Sequence, residues 1–454
     1  MTINLPEKVN NIIRTLEAAG HEAYAVGGCV RDLILDRKPE DWDITTSATP
    51  DMVKKLFRRT FDTGIAHGTV TVLSDGGSFE VTTYRVDGAY TDKRRPEEVT
   101  FTSSLTEDLR RRDFTINAIA MNEREGLVDP HGGLLDIEQK LIRCVGSADE
   151  RFSEDALRMM RAVRFAAQLG YEIEENTRQA ITSHAASIKD ISAERVRDEL
   201  VKLALSPNPH FLRLLYSLGL TTHFFPEFDL CMETEQNNPH HCYSVGEHIL
   251  ESMKYVAADK SLRLTMMLHD IGKPLTRSVN EKTGFDRFHG HPQQGAEIAK
   301  KIMRRLKFDN DTIDRVYRLV YHHDYDIDIN PDIDLRHFKI TDRYVRRAVS
   351  VIGADLYPLF IDVKIADIRA QSEYFQAEKL AYMERARQVY ERIMAANECV
   401  SLKELAVNGK DLTDGGIASG PRIGQILRAM LDDVIEYPEH NKRGYLLANL
   451  QKYM

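Results

Sequence analysis

The sequence is short of the residues that would mark an extracellular or membrane protein. Among 454 residues it has five cysteines, an odd number, at 29, 144, 231, 242 and 399, with no C-x-x-C spacing. That argues against a disulfide framework and a cysteine zinc site, and favours a reducing compartment. No apolar run approaches the ~18 residues that cross a bilayer, and the N-terminus lacks the basic-then-apolar order of a secretion signal. The expectation is a soluble, cytoplasmic protein with no membrane partner. Positive charge is also scarce: 61 Lys and Arg against 70 Asp and Glu give a net charge of −9, which weighs against a surface that is basic throughout. Local patches remain, at Arg110-Arg111-Arg112, Lys93-Arg94-Arg95, Lys300-Lys301 with Arg304-Arg305, and Arg343 with Arg346-Arg347. Hydrophobic content of 42% is enough for real cores, and the length suggests about three domains.

What the sequence does have begins near its start. An apolar run, Ala23 to Val26, leads into Gly27-Gly28, then Arg31, and then Asp41-Trp42-Asp43. On a strand, Asp41 and Asp43 project to the same face. Two adjacent carboxylates repel unless a cation lies between them, and carboxylates completed by phosphates and water are how Mg²⁺ is held against a nucleoside triphosphate. Glycines let backbone N–H groups approach phosphate oxygens closely, and Arg31 adds a charged donor. The string GGCVRDLILDRKPEDWDITTSATP resembles the first motif of the class II tRNA nucleotidyltransferases, the family of CCA-adding enzymes and bacterial poly(A) polymerases in the polymerase-β-like superfamily. The resemblance implies that Asp41 and Asp43 are catalytic and hold Mg²⁺, and that Gly28 and Arg31 contact the incoming nucleotide.

Around this motif, apolar spacing predicts a helix over residues 7–19 and a strand at Ala23–Val26. Gly64 to Leu73 and Ser78 to Arg85 alternate like a hairpin around Asp75-Gly76-Gly77. Glu80 is read either as a third carboxylate facing the metal or as a charged residue beside a glycine turn, the second reading being preferred. Residues 86–100 carry almost no apolar period and read as a loop. The segment RRRDFTINAIAM resembles the family's third motif; by that resemblance Arg112 touches the triphosphate, while Ile116, Ala118 and Ile119 are core. Asp113 reads as a cap or ion-pair partner.

From Glu154 the pattern becomes helical. Glu154-Asp155-x-x-Arg158, placed on one helix, puts Asp155 and Arg158 on one face a turn apart. A carboxylate beside a guanidinium accepts from the exocyclic amine and donates to the ring nitrogen of cytosine or adenine, and mismatches uracil and guanine. Each buried mismatch leaves polar groups unpaired at about 1–3 kcal/mol. The plainer reading is an ion pair on a surface helix. The segment resembles the family's EDxxR motif, in which side chains act as template, and the resemblance adds Arg161 and Arg164 as nucleotide contacts. Residues 192–205 read as a helix capped by Ser192, with Arg195 and Glu199 as an i,i+4 pair. They also resemble a neck motif that supports the template helix.

A second constellation lies further on. Most of the 16 histidines fall between 210 and 337, and His241, His248, His269-Asp270, His289, His291, His322-His323 and Asp367 mark the stretch. Imidazole plus carboxylate suits a divalent metal that activates water for phosphoester hydrolysis. The arrangement resembles the HD superfamily of metal-dependent phosphohydrolases. By that resemblance His241, His269, Asp270 and Asp367 form a first metal site, of unidentified metal, with Lys273 near the phosphate, and His291 and His323 complete a second. The alternative is a helical spacer whose ligands persist without turnover. Leu380 to Met394 reads as a long amphipathic helix, and the segment from 405, LAVNGKDLTDGGIASGPRIGQILRAML, resembles the family's body and tail. Gly420-Pro421 reads as a turn into a helix N-terminus, for packing or for phosphate.

The expected fold is α+β, a mixed-sheet nucleotidyltransferase head followed by helices. The expected division is head 1–145, neck 146–210, body 211–238, HD domain 239–370 and RNA-binding tail 371–454. The resemblance implies CCA addition to tRNA from CTP and ATP. Family members that add only CC lack a loop after the metal strands, whereas residues 86–100 look like that loop. An A-adding specialist, a poly(A) polymerase, and an HD-type phosphohydrolase or nucleotide sensor remain as alternatives. Oligomeric state is not readable.

Overall fold

A computed structural model describes residues 4–65, 68–74, 76–87, 99–325 and 340–454. Most of the loop expected at 86–100, the patch at 93–95 and the first residue of the turn at 75–77 lie outside the described residues. The chain divides into two compact units, Met1–Pro226 and Glu227–Met454.

The first unit is built on a seven-stranded sheet. Its strands are β1 Ala23–Val26, β2 Asp43–Thr46, β3 Thr60–Gly64, β4 Thr69–Ser74, β5 Gly77–Thr83, β8 Ala120–Asn122 and β9 Gly126–Val128, while β6 Arg85–Asp87 and β7 Val99–Phe101 form a separate ribbon. The order across the sheet is β3-β4-β5-β2-β1-β8-β9. All neighbours are antiparallel except β2 and β5, which run parallel with Asp43 in register with Glu80. The expected strand from Gly64 to Leu73 is in fact the end of β3 and most of β4.

Helices cover this sheet because their apolar residues fall on one side. Helix α1, Glu7–Ala18, buries Val9, Ile12, Ile13 and Leu16 at helical spacing. Helix α2, Gly28–Ile34, starts directly from the glycine pair, and α3, Pro50–Leu56, starts from a proline whose missing N–H costs nothing there. Tyr24, Val26, Tyr84, Leu109, Ala118, Ala120 and Val145 form one core cluster under the site. Helix α4, Leu105–Arg110, is capped by Ser104, and α5 spans Gly133–Gln139. The remainder of the unit is helical: α6 Ala148–Glu154, α7 Leu157–Leu169, α8 Glu175–His184 and α9 Ala193–Ala204, with a two-strand pair at Leu141–Ile142 and Glu172–Ile173.

Among the described residues the second unit is helical apart from a small hairpin, Arg277–Val279 with Asp286–Phe288. Helices Val245–Ser252, Lys260–Leu268, His291–Arg305, Asn310–His322 and Tyr357–Arg369 surround the histidine cluster. The amphipathic helix expected from Leu380 runs from Gln376 to Ala395 and packs into a core with Val345, Phe360 and Ile361. The last segment has its own core, including Val407, Leu412, Ile426, Met430 and Val434. Helix Pro421–Glu436 begins at Gly420, as the turn there predicts.

Candidate active site

The glycine pair and the acids meet at one end of the sheet. Gly27 has φ +85°, in the region that favours glycine, and a Cβ there would lie 3.0 Å from Arg112 Nη1 and 3.9 Å from Asp43 Oδ2. Gly28 is the glycine expected to contact the nucleotide, but a Cβ there would make only an ordinary contact with Arg31. Gly27 is therefore the position that requires glycine, because a guanidinium and a carboxylate converge on its missing side chain.

Asp43 opens β2, while Asp41 sits in the bend before it and not on the strand. The two carboxylates still face one charge field. Burial pushes the Asp43 carboxyl up, and Asp41 raises it further against the pull of Arg112. Glu80, in register with Asp43 on β5, is raised by burial and then by Asp43 and Asp41. Parallel pairing sets Glu80 opposite Asp43, so the residue beside the glycine turn also faces the aspartates. Three carboxylates in one charge field, with Arg112 beside Asp43, fit a hard divalent cation.

Buried side chains fix the arginines. Arg31 Nη1 donates to Asn117 Oδ1 at 2.7 Å, and its other edge binds Asp32. Asn117 Nδ2 donates to Asp113 Oδ1 at 3.2 Å, and Asp113 Oδ2 lies 2.6 Å from Arg161 Nη2. Burial works against the charge of Asp113, yet Arg161 and Arg158 hold its carboxyl at about 2. Asp113 is thus an ion-pair partner, as the sequence suggests. Asp108, fully buried, was missed. It accepts from Thr45 Oγ1 at 3.0 Å, pairs with Arg111 at 2.9 Å and lies 3.6 Å from Arg112. Its i,i+4 spacing to Arg112, just past the end of α4, was the available signal.

The expected template pair is arranged differently from its prediction. Asp155 is not helical: it stands between α6 and α7 with φ −145° and ψ 103°, and its Oδ1 accepts from the N–H of Leu157. Asp155 and Arg158 therefore do not share one continuous helix. Arg195 grips the Asp155 carboxylate at 2.7 and 3.2 Å, and Arg158 pairs with Glu154. Arg195 and Glu199 do not pair with each other. Glu199 lies 2.6 Å from Arg164, whose pKa burial lowers to about 10. The first turn and the middle of α9 thus hold residues of the α7 region. Ser192 occupies the cap position without a side-chain cap bond.

In the second unit, two buried triads place their ligand atoms within 4.8 Å of one another: His248, His269 and Asp367, and Asp270, His291 and His323. His248 takes the place that the sequence assigned to His241. It lies on Val245–Ser252 facing inward, its Nε2 2.9 Å from Asp367 Oδ1, whereas His241 precedes that helix and packs its ring edge-on against His248. Both histidines precede the His269-Asp270 pair, and only the helix face separates them. Asp270 stands between the two sets: its Oδ2 lies 3.3 Å from His269 Nε2 and 3.6 Å from His248 Nε2, and its Oδ1 3.4 Å from His291 Nε2 and 3.6 Å from His323 Nε2. Lys273 Nζ lies 2.7 Å from Asp270, and Lys364 Nζ 2.8 Å from Asp324 and 3.8 Å from Asp367. Burial opposes charge on Asp270 and Asp367, but His269 and Lys273 for one, and His248 and Lys364 for the other, hold both well below the carboxylate range. Asp270, His291, His323 and Asp367 line a cavity of about 1280 Å³. Four imidazoles and two carboxylates suit a divalent transition metal.

Comparison with known proteins places these sites in a family. The Poly A polymerase head domain matches residues 23–143, the "Probable RNA and SrmB-binding site of polymerase A" 170–232, the HD domain 240–367, and tRNA nucleotidyltransferase domain 2 residues 354–450. A CCA-adding enzyme of Streptococcus thermophilus is 34% identical over 451 residues, covering 98% of this chain and 96% of that one. The chain belongs to the CCA-adding enzyme family. Its match to the CCA-adding enzyme of Lactiplantibacillus plantarum is 58% identical over 198 residues, 44% of this chain, and spans about half, 49%, of that relative. The crystal structure of the Bacillus stearothermophilus CCA-adding enzyme in complex with CTP shares 31% identity, with a TM-score of 0.71 and coverage of 98% of this chain and 96% of that one. In this CCA-adding family member the mixed-sheet head and helical remainder carry the α+β fold expected from sequence. Among the described residues no helix is long and apolar enough to cross a membrane.

Proposed function

We propose that this chain builds the CCA end of tRNA from CTP and ATP in the cytoplasm, without a nucleic-acid template. The observation that carries the reading is the convergence of Asp43 and Arg112 on the open backbone at Gly27, with Asp41 and Glu80 close enough to share the charge field of Asp43. Asp41 and Asp43 would hold Mg²⁺, with Glu80 beside them. Bound there, Mg²⁺ supplies Lewis-acid stabilisation of the charge that develops when an RNA 3′-hydroxyl attacks an α-phosphate. The backbone at Gly27 and Gly28 lets a triphosphate approach, and Arg31 and Arg112, fixed by Asn117 and Asp108, face its charge. Asp155 and Arg158 select cytosine and adenine, with Arg161 and Arg164 holding the surrounding neck. Residues 1–145 act as catalytic head, 146–210 as templating neck, 211–238 as body and 371–454 as RNA-binding tail.

The test is incorporation of labelled CTP and ATP, with Mg²⁺, into tRNA transcripts ending before CCA, after C and after CC. Full addition predicts CTP on the first two ends and ATP after CC. ATP on the CC end alone means an A-adding specialist, and long A tails mean a poly(A) polymerase. No incorporation overturns the reading.

A second activity is favoured by one observation: Asp367 of the first triad and all of the second line one cavity, together with His241. The reading is a divalent-metal phosphohydrolase site, held by His248, His269 and Asp367 with Asp270, His291 and His323. Release of phosphate or alcohol from phosphoesters with Mn²⁺, Co²⁺ or Ni²⁺, lost in His269→Ala, tests it. Hydrolysis that survives His269→Ala belongs elsewhere.

A further inference from the structure

Arg151 belongs to none of the contacts proposed for nucleotide or metal, yet it is tied to the template arginine by a single carboxylate. Its side chain is 12% exposed, and its Nη2 lies 2.5 Å from Glu154 Oε1. The other oxygen, Oε2, pairs with Arg158 Nη1. Glu154 closes α6 and Arg158 lies in the first turn of α7, so the carboxylate spans the break that holds Asp155. Both guanidiniums also donate to the end of α4: Arg151 Nη1 to Arg110 O at 3.5 Å and Arg158 Nη2 to Arg111 O at 3.4 Å. Carbonyls at a helix C-terminus favour cations. The next residue, Arg112, is the one that faces the carboxylate cluster.

We propose that Arg151 is a positioning residue for base selection: it occupies one oxygen of Glu154, so that this carboxylate meets Arg158 through its other oxygen only, in an orientation shared with the Arg151 and Arg111 carbonyls that accept from Arg158 Nη1 at 3.1 Å and Nη2 at 3.4 Å. Without Arg151, Glu154 is free to take Arg158 with both oxygens, because a carboxylate and a guanidinium prefer the bidentate pair. That pairing turns the donor edge of Arg158 away from the base and leaves Asp155, locked separately by Arg195, to select alone. The proposal rests on the transfer reading above.

The experiment uses the full chain as wild type, Arg151→Ala, Arg151→Lys, Glu154→Gln and the Arg151→Ala/Glu154→Gln double variant. Initial rates with CTP and with UTP are measured on a transcript ending before CCA, with KM for nucleotide and for tRNA, and Tm for each protein. The expected result is a loss of CTP-over-UTP discrimination of about tenfold in Arg151→Ala, a raised KM for CTP, and a KM for tRNA within about twofold of wild type. Arg151→Lys, which restores the charge but not the fork, recovers part of the discrimination. Because Arg151 acts through Glu154, adding Arg151→Ala to Glu154→Gln changes discrimination no further. Unchanged discrimination in Arg151→Ala, or a uniform fall in kcat with a lowered Tm and independent effects in the double variant, overturns the proposal. A wild-type chain that incorporates neither nucleotide overturns the transfer reading instead, and needs no variant to show it.

Discussion

The two acidic clusters of the molecule handle their charge in opposite ways. In the head, burial and then neighbouring aspartates push the Asp43 and Glu80 carboxyls up, and Arg112 pulls against this at Asp43. In the second unit, Asp270 and Asp367 are buried among imidazoles and already matched by Lys273 and Lys364. The first arrangement is unfinished without a cation that arrives with substrate. The second is electrically close to complete, so a metal there must displace or share with an ammonium group. A cluster's chemistry is thus told less by its ligand types than by which counter-charges the fold has already supplied.

The largest effect that would break this contrast is in the head. Asp43→Ala should lower CTP incorporation by about a thousandfold or more, the scale of several kcal/mol of transition-state stabilisation. His248→Ala should leave it within about twofold, measured by initial rates on the same transcript; equal losses would mean that the clusters are not independent. Gly27→Ala comes next. A Cβ that strains a positive φ and crowds Arg112 should cost about tenfold in incorporation, with little change in secondary structure by circular dichroism. For the second cluster, Lys273→Met removes a competitor for Asp270 and should tighten Mn²⁺ binding by about tenfold in calorimetry; weaker binding would show that the lysine helps to build the site.

The smallest effect concerns stability. The Asp113 carboxyl is held at about 2, against an ordinary value of 3.8. A depressed carboxyl stabilises the fold fully above its unfolded value, and loses that contribution as pH falls from about 4 towards 2. Asp113→Asn should therefore cost about 2 kcal/mol in denaturant unfolding at neutral pH. The difference from wild type should shrink below pH 4.

Local patterns carried the head well. The strand into Gly27-Gly28 and the buried Ile116, Ala118 and Ile119 follow from periodicity and backbone chemistry that neighbours in sequence share, whereas Asp41 falls in the bend before β2 and off the strand that the spacing suggests. What escaped depends on distant pairing. Glu80 needs the parallel register of β2 and β5, which nothing in the hairpin's own sequence reveals. The break at Asp155 carries no glycine or proline, because Ala156 follows it, and the extended backbone is held from afar by Arg195. His241 and His248 both had the right chemistry, and choosing between them required the direction of a helix face.

The break between α6 and α7 also bears on how such a sequence tolerates length change. Within one continuous helix, each inserted residue would rotate everything beyond it by about 100°. Because the backbone at Asp155 is extended, an insertion earlier in α6 can be taken up at the junction while Asp155 and the start of α7 keep their mutual geometry. An insertion between Asp155 and Arg158 has no such refuge. Drift in length among relatives is therefore expected upstream of Glu154, with the three positions from Ala156 to Arg158 fixed in number even where their identities vary.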